Sequence, residues 1–337
     1  MKPSYVVENL IEVKAPILLH NFSGKSDAGR ASYIATTHLS STLKKDRIAS
    51  FSVDDFVDMR TYRPFISVSD WQVKDISFPE ITLDLYYDDK GMPFLVLSGP
   101  EPSICWKSFV QEIIELIKPF GVERAFTFAG APSNVPHTRK GEIDSIITKT
   151  SNGEKKLSSD ESECEKENDK IFRFPTSMDL FLQYQLKNMG IEGTAFISAI
   201  PFYLSDSDYP QGAYSLLEKF SFTTGLDLPL GDLAATCDYV TQVLENNPDI
   251  AQNANLIHSL EEEFDKNKHE SNIASSAVSG DNFSSDNDLA KTIEAFLKHQ
   301  DESPDRKTKN IYDSSQKNGE NNKNVSFFKK FFKKRDN

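Results

Sequence analysis

The 337 residues carry a formal net charge of −13 at neutral pH. That balance argues against general nucleic-acid binding, which draws most of its affinity from a basic surface neutralising phosphates. Three cysteines, Cys105, Cys164 and Cys237, are widely spaced, odd in number and without a C-x-x-C pair, which supports neither a disulfide framework nor a zinc site and fits a reducing cytoplasm. No apolar run approaches 18 residues and the N-terminus lacks a basic segment followed by an apolar one, so neither a transmembrane helix nor a signal peptide is expected.

In chain order, the apolar run Ala15 to Phe22 ends at Ser23-Gly24 and predicts a strand and its exit turn. A helix is expected from about Asp27 to Leu43, with Asp27 as N-cap or first-turn acid. The small residues Ala28, Gly29, Ala31 and Ala35 allow it to pack closely on a sheet. A glycine-containing turn before a helix can hold an anion through free backbone N–H groups. The stretch has neither G-x-G-x-x-G nor G-x-x-x-x-G-K-[ST], so tight strand-to-helix packing is the preferred account. Ile48 to Phe51 then reads as the second strand of a βαβ unit, and the acids Asp54, Asp55 and Asp58 as a solvated loop.

Ile81 to Tyr87 alternates with period two, Asp88-Asp89-Lys90-Gly91 supplies a turn, and Pro93 to Leu97 returns, which together predict a hairpin. A rigid loop, Ser98-Gly99-Pro100-Glu101-Pro102, leads to Trp106 through Lys118, whose apolar residues recur at helical spacing. Glu101 can serve as a ligand group or general base, or simply cap a helix; Trp106 can stack on a ligand ring or sit in the core.

Ala125 to Ala129 reads as a buried strand and Gly130 to Asn134 as its exit loop. Directly after it, Val135-Pro136-His137-Thr138-Arg139 places an imidazole, a hydroxyl and a guanidinium side by side. Ligands of open α/β sheets bind beyond such strand ends, and these three groups can grip a carboxylate or phosphate. The alternative is structural: Pro136 sets a rigid turn while His137 and Arg139 pair with nearby carboxylates to hold a loop.

Ser151 to Lys170 is almost devoid of apolar residues and reads as an exposed charged insertion within the domain. A helix from Met178 to Met189 ending at Gly190, a strand from Gly193 to Ile200, and helices over Ala213 to Phe220 and Gly231 to Leu244 follow. Beyond about Asp265 the composition turns to Asn, Ser, Asp, Lys and Glu. This predicts one α/β domain over 1–262 and a mostly disordered arm over 263–337. Within the arm, apolar spacing predicts a short helix near 287–300. A second, over 327–335, sets four phenylalanines against four lysines. That basic segment can stay solvated, dock on an acidic protein face, or touch an anionic membrane surface weakly.

Five blocks carry a resemblance: Gly24-x-x-Asp27-Ala28-Gly29; Tyr62-Arg63-Pro64; Gly99-Pro100-Glu101-Pro102 with Trp106; Val135 to Arg139; and Ile200-Pro201-Phe202-Tyr203-Leu204 before Tyr209-Pro210. In this order and spacing, from about Pro16 to Asp265, they resemble the proteasome assembly chaperone 2 family in its bacterial, actinobacterial-type branch. The resemblance implies a three-layer α/β/α sandwich similar to nucleoside phosphorylases, self-association into a homo-oligomer, no established chemical activity, and protein partners such as proteasome subunits. Its eukaryotic relatives are assembly chaperones for proteasome rings. Two positions depart from the family pattern, which often has Trp after the first glycine and His in the later Pro-His-Tyr motif; this chain has Lys25 and Phe202. If those positions belong to a ligand site, it has lost one ring and one imidazole, which weakens a catalytic role.

The expected function is therefore that of a cytoplasmic, non-enzymatic interaction or assembly-chaperone-like protein without specific nucleic-acid binding. The alternative is an enzyme of phosphorylase, hydrolase or ligase type acting on an anionic small molecule. Asp27, Gly29, Glu101, Trp106, His137, Thr138 and Arg139 are expected to line one ligand pocket at the C-terminal ends of the strands. No catalytic set, metal or cofactor is assigned.

Overall fold

Strands buried on both faces read as near-continuous apolar runs, and the runs seen in the sequence become the middle of one sheet. The computed structural model describes residues 3–9, 11–24, 27–149 and 175–274. The expected insertion at 151–170, Lys25, and the arm helices expected near 287–300 and 327–335 lie outside these residues. In chain order the first half comprises β1 (Tyr5–Val7), β2 (Ile17–Ser23), α1 (Ala31–Thr42), β3 (Lys44–Phe51), α2 (Val53–Phe56), β4 (Phe65–Ser69), β5 (Gln72–Ser77), β6 (Ile81–Tyr87) and β7 (Pro93–Pro100). The second half comprises α3 (Trp106–Ile117), β8 (Arg124–Ser133), β9 (Ile143–Thr148), α4 (Met178–Lys187), β10 (Glu192–Pro201), α5 (Pro210–Thr224), α6 (Gly231–Glu245), α7 (Pro248–Gln252) and α8 (Ala254–Ala274).

The main sheet has the order β1-β3-β6-β7-β2-β8-β10-β9. Its four central strands, β7, β2, β8 and β10, run parallel, and antiparallel strands close both flanks. The connection from β2 through α1 to β3 is the expected strand-helix-strand crossover, with the β6–β7 hairpin inserted between its two strands.

Side chains alternate between the two faces of a strand, and this sorts the core into two layers. Leu18 and Phe22 of β2, with Leu95 and Leu97 of β7, pack against α3 and α4 through Phe109, Ile113, Met178 and Leu182. Ile17 and Leu19, with Phe94, Phe126 and Phe128, pack against α1, α5 and α6 through Ala35, Leu39, Leu217, Phe220 and Leu233. The result is the expected α/β/α sandwich. Each fully buried Phe or Leu contributes roughly 1.5–3 kcal/mol relative to exposure.

Several elements differ from expectation. α1 begins at Ala31, after a short 3₁₀ turn over Ala28–Arg30 in which Gly29 and Arg30 take positive φ of 64° and 49°. β8 does not stop at Gly130; pairing with β10 carries it on to Ser133, opposite Pro201. α8 runs through the position, 262/263, at which the sequence divides domain from arm, burying Leu256, Ile257 and Leu260. The β4–β5 hairpin, paired antiparallel outside the main sheet, has no counterpart in the expected elements.

Candidate functional site

Parallel strands that all end on one edge of a sheet deliver their exit loops to the same rim. Here β2, β7, β8 and β10 bring Asp27, Glu101, His137 and Tyr203 to that rim. Their hydrogen bonds then divide the expected site residues into three groups.

The first group is built on Asp27. Its Oδ1 accepts from the backbone N–H of Ser32 at 3.1 Å and of Gly130 at 3.0 Å; its Oδ2 accepts from the Ser32 hydroxyl at 2.7 Å and the Tyr33 N–H at 3.1 Å. The free amides that open a helix are an anion site by default, and in this protein the chain's own carboxylate takes them. Gly130 permits the approach: a Cβ there would lie 2.1 Å from the carbonyl oxygen of Ala28. Gly29 is held from the other side, its N–H donating to the Ser205 carbonyl at 2.7 Å and its carbonyl accepting from Tyr209 N–H at 2.9 Å.

The second group gathers His137, Thr138 and Arg139. The Tyr203 hydroxyl accepts from the His137 backbone N–H at 2.9 Å and lies 2.8 Å from His137 Nδ1. The arrangement suits a neutral imidazole that accepts the tyrosine proton at Nδ1. Burial pushes the His137 pKa below its ordinary value against the opposing pull of Glu261 and Glu245, and burial pushes the Tyr203 hydroxyl up to about 12. Thr138 Oγ1 donates to Glu261, and Arg139 reaches both Glu261 and Asp265. Both acids are carried by α8. The donors that would seize an anionic ligand thus already hold carboxylates of the same chain.

The third group lies toward the α3 and α4 layer. Glu101 Oε1 accepts from the Met178 N–H at 2.7 Å, closing the first turn of α4 beside the Ser177 cap, whose hydroxyl accepts from Leu180 N–H. Trp106 donates its indole N–H to the Pro102 carbonyl at 2.6 Å and packs on Phe181, with ring centroids 5.8 Å apart. Its partly buried ring packs against the core layer of α3 and α4.

A cavity of about 340 Å³ opens between β8, β10 and the start of α4. Of the seven expected site residues, Glu101 alone lines it; Thr127, Ser177, Asp179 and Ala195 are among the others that do. Asp179 leads to a pair that the apolar pattern of β2 concealed. His20 is wholly buried, and its Nδ1 lies 2.8 Å from Asp179 Oδ1. The second carboxylate oxygen of Asp179 accepts from Phe22 N–H at 3.4 Å. Alternation along β2 explains the choice, turning His20 toward α4 and its neighbour Asn21 toward α1, where Asn21 donates to the Ser32 carbonyl. The available signal was a histidine inside a largely apolar strand, because a buried ring nitrogen calls for a partner.

Residues 22–246 match the model of the PAC2 family, from the end of β2 to the end of α6. The chain belongs to the PAC2 family. A Corynebacterium glutamicum protein of unknown function is similar in structure, with 29% identity and a TM-score of 0.68 over 78% of this chain and 97% of that one. A Mycobacterium tuberculosis protein of unknown function is similar at 28% identity and a TM-score of 0.67, over 79% and 92%. A second M. tuberculosis protein, a proteasome-assembly chaperone homologue, shares the fold at 21% identity and a TM-score of 0.57, over 70% and 98%. These sources agree with the actinobacterial-type branch of the PAC2 family. No curated protein matches the chain. The PAC2 match contains Asp27, Glu101, Asp179 and His137, while Glu261 and Asp265, which hold Thr138 and Arg139, lie beyond it on α8.

Proposed function

We propose that the protein is a non-enzymatic, self-associating interaction protein of the assembly-chaperone type, with proteasome-related subunits as partners. The observation that carries this function is the β4–β5 hairpin. Ile66 pairs with Ile76 and Val68 with Val73, so these four share one face, while Ser67, Asp75, Ser69 and Gln72 pair on the other. The bulge between Ser67 and Val68 keeps Val73 in line with Ile76 although three positions separate them. All four apolar residues are more than half exposed, and Trp71 at the tip is 100% exposed.

A two-stranded hairpin is marginal in water by itself, and an apolar face of this kind marks a surface that another protein covers. The turn adds to the case. Asp70 and Trp71 both take positive φ, 52° and 59°, a conformation that Asn-Gly adopts readily and a bulky side chain does not. Strain spent on holding Trp71 outward fits a contact made elsewhere. Phe65 and Phe78, at the ends of the two strands, are also more than half exposed.

Assignment to the cytoplasm rests on the cysteine usage, and the division into an α/β domain and a C-terminal arm on composition. The assembly-chaperone component rests on membership of the PAC2 family and on the fold shared with the mycobacterial proteasome-assembly chaperone homologue. An enzyme acting on an anionic small molecule is less well supported, because Arg139 is paired to α8 and Glu101 to the start of α4. The test is the mass of the full chain in solution by light scattering, for the wild type and for Ile66→Asp with Val73→Asp, combined with pull-down of purified proteasome subunits. An oligomer that dissociates in the double variant, with subunit capture by the wild type, supports the function. A monomeric wild type that captures nothing overturns it.

A further inference from the structure

The turn from Pro136 to Arg139 is built without help from α8. The Arg139 N–H closes it by donating to the Pro136 carbonyl at 3.3 Å, and Tyr203, on the 3₁₀ turn after β10, fixes its middle through the backbone N–H and Nδ1 of the buried His137. Thr138 is exposed on this platform, and Arg139 keeps 37% of its side chain in solvent even with its ion pairs made. A hydroxyl and a planar guanidinium fork held in place beforehand are pre-organised for carboxylates.

The acids that meet them show what fits. Glu261 and Asp265 stand four positions apart, on one face of a helix. Glu261 bridges the Thr138 hydroxyl and Arg139 Nη1, while Asp265 takes Nε and Nη2. Two carboxylates at that spacing thus satisfy the hydroxyl and all three guanidinium nitrogens together.

The anchor of α8 lies upstream of this contact. Leu256, Ile257 and Leu260 are buried, whereas past Leu260 no described side chain of α8 is buried and Phe264 is half-buried. Glu261, Glu262, Glu263 and Asp265 crowd four carboxylates into five residues, and like charges one helical turn apart weaken a helix. Solvent-exposed ion pairs hold weakly. The turn that carries Glu261 and Asp265 can therefore leave the rim while Leu256, Ile257 and Leu260 stay packed.

We propose that Thr138 and Arg139 form a receptor for an acidic helix of a partner protein, with carboxylates at i and i+4, and that the Glu261 to Asp265 turn of α8 occupies this receptor as a displaceable stand-in. The donors fall inside the PAC2 match and the stand-in acids beyond it. Tethered groups compete at an effective concentration on the order of millimolar, so the resident turn masks the receptor until a partner displaces it. The site uses none of the hairpin residues and does not depend on their role.

The experiment follows fluorescence anisotropy of a labelled, capped, alanine-rich helical peptide with Glu and Asp four positions apart, titrated with the full chain. Glu261→Ala combined with Asp265→Ala unmasks the receptor and tightens peptide binding at least about tenfold, the factor by which a competitor at about 1 mM effective concentration masks a site that holds it at about 0.1 mM. Adding Arg139→Gln to that variant removes the gain, and a peptide with Gln and Asn in place of the acids does not bind. On the wild type, saturating acidic peptide accelerates hydrogen exchange of the amides from Glu261 to Asp265, because the two helices exclude each other. Equal affinity of the wild type and the double variant overturns the proposal. So does a gain that survives Arg139→Gln in protein whose melting temperature shows it folded. Glutarate that competes as well as the peptide overturns the assignment to a helix and gives the site to a small dicarboxylate.

Discussion

The guanidinium of Arg139 meets the carboxylate of Asp265 fork to fork, with Nε 3.1 Å from Oδ1 and Nη2 3.0 Å from Oδ2, and its third nitrogen reaches Glu261 at 3.2 Å. The segment that looks most like an anion site is thereby a strap between the end of β8 and α8. Exposed ion pairs contribute little to global stability, so Arg139→Ala leaves the unfolding midpoint nearly unchanged. It loosens α8 locally, and hydrogen exchange of the amides around Glu261 to Asp265 accelerates, as it also does for the wild type in high salt.

Asp27 has a larger structural burden. It caps the start of α1 through Ser32 and Tyr33 and ties that helix to β8 through Gly130. Asp27→Ala leaves those donors without their acceptor and costs about 2 kcal/mol or more, combining the loss of a cap with that of a long-range hydrogen bond. Chemical denaturation gives the number. A loss under about 0.5 kcal/mol, within the range of ordinary surface substitutions, would mean that water replaces the carboxylate without penalty.

The pair of His20 and Asp179 lies deep beside the cavity, with side chains 0% and 1% exposed. Removing one partner of a buried pair strands the other, at a cost of about 3–5 kcal/mol. Asp179→Ala is expected to lose that much in urea melts. The joint change His20→Leu with Asp179→Leu loses much less than twice the single value, because it leaves no orphaned polar group in the pair.

His137 provides a pH signature. Its pKa lies below the ordinary histidine value in the folded state because burial outweighs the attraction of Glu261 and Glu245. In the window between the folded value and about 6.5, the unfolded chain binds a proton that the folded protein refuses, so stability falls as pH falls through that window and is level above it. Melting temperatures measured from pH 7.5 down to pH 5 should show this loss. His137→Gln should flatten it. A slope unaltered by the substitution would place the pH dependence in other groups.

The central strands were legible because burial on both faces leaves a plain mark on composition. β2, β7, β8 and β10 follow apolar runs, β6 follows a period-two alternation, and α3 follows apolar spacing. The family was legible in the same way, through glycines and prolines that mark the rim. The partners of the polar residues were not. Arg139 and Asp265 stand 126 positions apart and His20 and Asp179 stand 159 apart, and no local pattern couples residues at that distance. The β4–β5 hairpin escaped for a related reason: its apolar face has no core to lie against within the described residues.

By itself, then, the order of residues determined the layers of this protein, because apolar periodicity is a local property and the hydrophobic effect acts on it without regard to partners. It also led to the expectation that Asp27, Glu101 and His137 to Arg139 line one pocket where parallel strands end. Only the tertiary structure decided what that rim does. Hydrogen bonds and ion pairs are directional and short-ranged, so closure of the sheet assigned Asp27 to α1, Glu101 to α4 and Arg139 to α8. The same closure placed Asp179, a residue without any mark in the sequence, on the wall of the cavity that remains open.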